Sequence, residues 1–200
     1  MKALKTSIAT ALFLFSALVA AADNAAAQKV VEHLHETLLK AMTGGEKLGY
    51  AGRVELLAPV IDTSFDFESI ARIVTGRYWK DVKDEQRQRF TDVFRALSTA
   101  TYARNFSVFA GEKFEILGAE DNRGSLVVRT QLVKSDGGTV PLNYLLRQNN
   151  GEWRIVNVVA QGVSDLSLKR ADYTAVIKAE GFDSLVDRLK KKVTEMSQGS

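Results

Sequence analysis

The residues of this chain best suited to chemistry are few, and their spacing works against it. His33 and His35 are its only histidines. On a helix an i,i+2 pair points about 200° apart, so these two cannot share a metal ion. Both read as solvent or boundary side chains. There is no cysteine, so thiol nucleophiles and Cys-metal sites are excluded, and a Ser-His pair would depend on those two histidines alone. Gly162-Val163-Ser164-Asp165-Leu166 resembles a nucleophile elbow but lacks the final glycine and any strand–turn–helix α/β context. Its expected role is a strand exit, with Ser164 or Asp165 capping the helix that follows. Gly44-Gly45 and Gly137-Gly138 fit turns, not phosphate cradles. Asp62, Asp66 and Glu68 gather three carboxylates, but Asp66 is wanted as a helix cap, and we expect no metal site there. Lys190, Lys191 and Lys192 fall late in the last predicted helix, where cations suit the dipole. They read as a solvated face. No cofactor is expected, and residue by residue the chain reads as a non-enzyme.

The elements that would have to position such groups are helical at both ends and β in the middle. Val30, Val31, Leu34, Leu38 and Met42 make one apolar helical face, stopped by Gly44-Gly45. Tyr50, Val54, Leu57 and Ile61 predict a second helix, kinked or broken near Pro59. Asp66 caps a third that carries Phe67, Ile70, Ile73 and Val74 and ends at Gly76. The strongest runs from Asp84 to about 107, with Phe90, Val93, Phe94, Leu97 and Thr101 on one side and Arg87, Asp92 and Arg95 on the other.

The period then changes. Segments 113–120, 125–134, 139–148 and 153–160 are β-rich, joined by hairpin signals of which Asn150-Gly151 is the clearest. They predict a four-stranded antiparallel meander. A two-residue turn at Asn150-Gly151 sets Leu146 opposite Ile155 and Tyr144 opposite Asn157. One face then holds Leu142, Tyr144, Leu146, Ile155 and Val159. The other holds Leu145, Val156 and Val158, so we expect the sheet to be covered on both sides. Helices return over 167–178 and from Phe182 to Met196. The fold class is α+β, a four-stranded meander wrapped by N- and C-terminal helices.

The first 22 residues carry a compartment signal. Lys2 and Lys5 precede a 12-residue apolar run, and Ala20-Ala21-Ala22 closes it before Asp23. A basic n-region, an h-region and a small-residue cleavage site make a secretory leader. The run is shorter than the ~20 residues a spanning helix needs. A second small-residue triplet, Ala25-Ala26-Ala27, offers a later cleavage point. The expected organisation is a signal peptide over 1–22 and a single domain over 23–200. That places the protein outside the cytoplasm, most simply in a bacterial periplasm, where nucleotide-driven chemistry has no ATP.

The formal charge of +3 includes two leader lysines, so 23–200 carries 25 basic and 24 acidic side chains, net +1. Lys and Arg are scattered without a basic stripe, and no nucleic-acid partner is implied. Without disulfides, stability rests on packing.

Several blocks in order carry a family likeness. Residues 65–79, FDFESIARIVTGRYW, are followed by DEQRQRF at 84–90, then Phe94 and Tyr102, then GEWRIVN at 151–157 and Gly162 to Asp165. This arrangement resembles the periplasmic MlaC/toluene-tolerance family, soluble lipid carriers of Gram-negative envelopes. The stretch 153–173 is most similar to the hopanoid-biosynthesis-associated HpnM branch. Where phospholipid carriers tend to have an Asn-Tyr-Arg run, this chain has SLKRADY at 167–173.

The resemblance implies an apolar pocket between sheet and helices that takes a lipid, either phospholipid or hopanoid. It implies transient membrane contact and docking to an inner-membrane lipid-transport complex or, for the hopanoid branch, an RND-type exporter. Exposing a 16-carbon tail to water costs roughly 12 kcal/mol at ~0.8 kcal/mol per CH₂, which is why such a lipid needs a carrier. With the pocket so implied, the expected lipid-binding residues are Leu142, Tyr144, Leu146, Ile155 and Val159 on the sheet. Phe90, Phe94, Leu97 and Tyr102 face them from the helix. Two other readings stay open. One is a small-pocket isomerase or hydrolase on a cone-shaped α+β scaffold, which would want a carboxylate or histidine in the cavity. The other is an envelope adaptor with a filled core.

Overall fold

The computed structural model describes the backbone of residues 6–198 and the side chains of residues 22–198. Residues 1–21 of the expected leader lie outside the described side chains. Helix α1 (Thr6–Ser64) is one helical run interrupted at two glycines, Gly45 (φ 38°) and Gly49 (φ 58°). Both lie in the left-handed region, which glycine enters without a Cβ penalty. The predicted stop at Gly44-Gly45 is therefore a bend between two helices. Arg53 pins it, donating from Nε to the Ala103 carbonyl at 2.8 Å and from Nη1 to the Gly45 carbonyl at 3.0 Å. Pro59 sits inside the helical run, and the departures from helical geometry fall at the two glycines, not beside it.

Helix α2 (Phe67–Thr75) starts at Asp66, whose carboxylate accepts from the Ser69 N–H at 2.9 Å. It ends at Gly76, and a 3-10 turn (Gly76–Lys80) leads to α3 (Asp84–Asn105). The buried face of α3 is Phe90, Val93, Phe94, Leu97, Ala100 and Ala103, the stripe its spacing demands. After the sheet come α4 (Asp165–Glu180) and α5 (Phe182–Gln198), separated by Gly181 at φ 92°.

The sheet is an antiparallel meander: β1 (Lys113–Asp121), β2 (Leu126–Val133), β3 (Thr139–Asn149), β4 (Glu152–Ala160) and β5 (Val163–Ser164). The fifth strand is two residues long and adds to the four expected. Asn150 (φ 52°) and Gly151 (φ 83°) are both left-handed, the geometry of a tight turn that matches strand twist.

Register corrects the expected face. Leu146 pairs with Ile155 as anticipated, but Leu145 pairs with Asn157 and Tyr144 with Val158. Val156 is an extra residue, a β-bulge, and every side chain beyond it changes face. Val158 and Ala160 therefore share the face of Tyr144 and Leu142, while Val159 pairs with Asn143 on the reverse.

The sheet is covered on one side only, against the two-sided expectation. Leu126, Val128, Thr130, Tyr144, Leu146 and Ile155 are buried against the helices. On the reverse, Arg129 pairs with Glu120 at 2.8 Å, and Gln131 donates to Glu115 at 2.7 Å. Among the described residues no helix is long and apolar enough to cross a membrane.

Candidate functional site

Two recesses flank the N-terminus of α2, and Phe65 and Phe67 border both. The larger, about 640 Å³, is an open cleft lined by charge. Its charges answer one another: Arg72 meets Glu68 at 2.8 Å, Arg87 meets Asp84 at 2.8 Å, and Arg154 meets Glu152 at 2.7 Å. Arg95 Nε lies 2.7 Å from Asp62, although its N–H is not aimed along a hydrogen bond. The three clustered carboxylates thus have separate duties. Asp62 and Glu68 pair with arginines, while Asp66 caps α2 and accepts from Asn149 Nδ2 at 3.1 Å. Among the described residues no group of three or more His, Asp or Glu could hold a metal ion.

The smaller recess, about 250 Å³, is apolar. Phe65, Phe67 and Ile70 form one wall from the α1–α2 junction and α2. From α3 come Phe94 and Tyr102, followed by Phe106 just beyond the helix. The sheet supplies Leu142, Tyr144, Val156 and Val158, and α4 closes the side with Leu166. The rings interlock. Phe65 meets Tyr102 at 5.9 Å between centroids, Phe67 meets Phe94 edge-on at 6.0 Å, and Phe106 stacks on Tyr102 at 5.8 Å. Polar atoms collect at the rim: Asn105, Asn157, and Asp165 ion-paired to Lys169.

One polar pair lies at the back of this cavity. Tyr144 is 2% exposed, and its hydroxyl sits 3.0 Å from His35 Nε2. The His35 ring stacks on Phe114 at 4.1 Å. His35, read from sequence as a solvent or boundary side chain, is buried, because α1 turns that side of its helix onto the sheet, while His33 is exposed. Burial lowers the His35 pKa to about 4. Burial also pushes the Tyr144 and Tyr102 hydroxyls well above the ordinary phenol range, with the Asp165 charge adding to the effect on Tyr102. At neutral pH His35 and the two tyrosines are uncharged, and the charges that line the cavity are Asp165 and Lys169, paired at its rim.

Of the nine residues anticipated, Phe94, Tyr102, Leu142 and Tyr144 line the cavity. The other five sit elsewhere. Phe90 stacks behind Phe94 at 5.8 Å and packs against Phe182 and Tyr173. Leu97, Leu146 and Ile155 are filled core at 3% exposure or less. Val159 is carried to the reverse face by the bulge at Val156. The residues missed are Phe65, Phe67, Ile70, Phe106, Val156, Val158 and Leu166. The aromatic pair flanking the Asp66 cap was a visible signal; the bulge had none. Ser164, the elbow-like serine, caps α4, its Oγ accepting from Ser167 N–H at 3.1 Å and donating to Asn157 Oδ1 at 3.1 Å.

A one-sided meander and surrounding helices frame a cavity walled mainly by aromatic and aliphatic side chains. The profile of the MlaC protein family matches residues 32–191, and the chain belongs to that family. It is 24% identical over 127 residues to the intermembrane phospholipid transport system binding protein MlaC of Haemophilus influenzae, a match spanning 61% of this chain and 59% of that protein. It is 24% identical over 148 residues to the toluene tolerance protein ttg2D of Pseudomonas putida, covering 72% and 67%. The fold matches that of a phospholipid-binding protein from Ralstonia solanacearum solved with a phospholipid. The TM-score is 0.72 and the identity 22%, over 86% of this chain and 98% of the other.

Proposed function

We propose that this protein is an exported, non-catalytic carrier that holds phospholipid acyl chains in the cavity between α2, α3, α4 and the sheet, and moves lipid between membranes across the periplasm. The observation that carries this reading is the cavity walled mainly by aromatic and aliphatic side chains, in a fold shared with a phospholipid-bound protein. An inner-membrane lipid-transport complex is the partner this role requires. A phospholipid is the proposed cargo because the Haemophilus relative is named for intermembrane phospholipid transport and the Ralstonia protein was solved with a phospholipid. The hopanoid branch, and with it the RND-type exporter, draws no support from these relatives.

The cavity lies just under the ~300–1,000 Å³ of pre-formed ligand sites, so a two-chain lipid enters only as a wall moves outward. Helix α4 is tied to the sheet by a two-residue strand and by the Asn157 bonds to Ser164 Oγ and the Leu166 N–H.

The non-catalytic reading rests on acidity. A catalytic pair works best with pKa values near the operating pH. His35, near 4, is too weak a base for proton transfer at neutral pH, and Tyr144, pushed up, is too weak an acid.

Signal cleavage is proposed after Ala22. Asp23 accepts from Gln148 Nε2 at 3.1 Å and from Trp153 Nε1 at 3.3 Å, and Ala27 is fully buried. Cleavage after Ala27 would remove those contacts.

Native and denaturing mass spectrometry of the protein purified from its periplasm tests both points. The expected result is an N-terminus at Asp23 and a co-purified phospholipid. A clean apo mass, with no uptake from labelled vesicles, would remove the carrier and leave the envelope adaptor.

A further inference from the structure

The mouth of the cavity can be located from its own lining. Asn105, Ala160 and Asp165 are the lining residues most open to solvent. The opening therefore lies between the end of α3, the β4–β5 turn and the start of α4. Among the described residues five large apolar side chains are exposed: Val108, Phe109, Leu117, Val163 and Leu168. Four of them lie on the three chain segments that bound this opening. Val108 and Phe109, at 71% and 44% exposure, stand on the loop that leaves α3 just beyond the lining residues Asn105 and Phe106. Val163 is the strand partner of Ala160, and Leu168 stands in the first turn of α4, beside Lys169. Leu117, the fifth, lies apart as the unpaired residue of a bulge in edge strand β1.

A soluble protein has no packing reason to collect exposed apolar side chains at one opening. The charge around them is net positive. The two mouth segments, 104–113 and 160–170, hold Arg104, Lys113, Lys169 and Arg170 against Glu112 and Asp165. That is a net +2, in a chain whose residues 23–200 total +1. Isolated apolar side chains standing out among cations suit a surface that is soft, apolar beneath and anionic above.

We propose that Val108, Phe109, Val163 and Leu168 form a rim that seats the cavity mouth on the headgroup region of an anionic phospholipid bilayer. The lipid tail then passes from bilayer to cavity without crossing water. This rests on the carrier reading above and assigns it a contact surface.

Vesicle flotation of the protein, residues 23–200, tests it with phosphatidylglycerol-containing vesicles against pure phosphatidylcholine. The expected result is association with the anionic vesicles that weakens as salt rises. The paired variant V108D/L168D should lose at least tenfold in association and in the rate of lipid pick-up. L117D should retain both. Loading from detergent-dispersed fluorescent phospholipid, which needs no bilayer, should be the same in all three. Vesicle association of V108D/L168D equal to that of the unmodified protein overturns the rim, as does no association by the unmodified protein. In the latter case, loss of lipid pick-up from a purified partner complex would make the rim a protein-docking surface. Failure of every form to load from detergent would instead strike the cavity reading.

Discussion

The two recesses that share Phe65 and Phe67 differ in every property but position. The polar cleft has more than twice the volume of the apolar cavity, about 640 against 250 Å³. Yet its arginines and carboxylates already pair with one another in water, so a ligand there would have to break those pairs to gain new ones. The cavity has no such internal satisfaction. Its rings and aliphatic groups face a space that water fills poorly, and an acyl chain is the partner that improves every contact. Volume ranks the cleft first, and chemistry ranks the cavity first.

The sharpest way to break this contrast is to fill the smaller space. Leu142→Trp should lower co-purified or vesicle-acquired lipid at least tenfold, as measured by lipid extraction and mass spectrometry, with the circular dichroism spectrum unchanged. Tryptophan at Leu97 or Leu146 is a poorer probe, since both are filled core, and overpacking there costs about 1–3 kcal/mol.

Next in size is a pH effect at the back of the cavity. As pH falls, the unfolded chain protonates His35 near its ordinary value of 6.5, while the folded protein resists until about 4. The contribution is therefore complete above pH 6.5 and is lost as pH drops towards 4, in total about 3 kcal/mol. Denaturant midpoints at pH 7 and pH 5 should differ more in the parent protein than in His35→Gln. Equal differences would contradict the assignment.

Tyr144→Phe should cost about 1–2 kcal/mol in urea unfolding, because it leaves His35 Nε2 buried without its partner. Smallest of all, Glu68→Gln in the polar cleft breaks an exposed pair. It should change stability by less than ~0.5 kcal/mol and lipid content not at all. Lost lipid in that variant would move the site across the Phe65–Phe67 partition.

Much of the fold was legible because its signals are local. Asp66 as a cap, Gly76 and Gly181 as ends, the α3 stripe and the Asn150-Gly151 turn each rest on a few neighbouring residues. The site was legible only in part. Phe94, Tyr102, Leu142 and Tyr144 came from periodicity together with the family resemblance. Val159 was misplaced because the bulge at Val156 leaves no mark in composition. Phe90 was misjudged because α5 and α4, distant in sequence, supply Phe182 and Tyr173 to cover it.

By itself, the sequence determined the α+β class, the meander and the family, since hydrophobic period, turn residues and short ordered blocks are properties of neighbours along the chain. Tertiary structure alone decided which apolar residues face a void and which are simply buried. It also turned His35 inward. Such outcomes depend on which elements meet and at what register, and one extra residue in β4 was enough to change them.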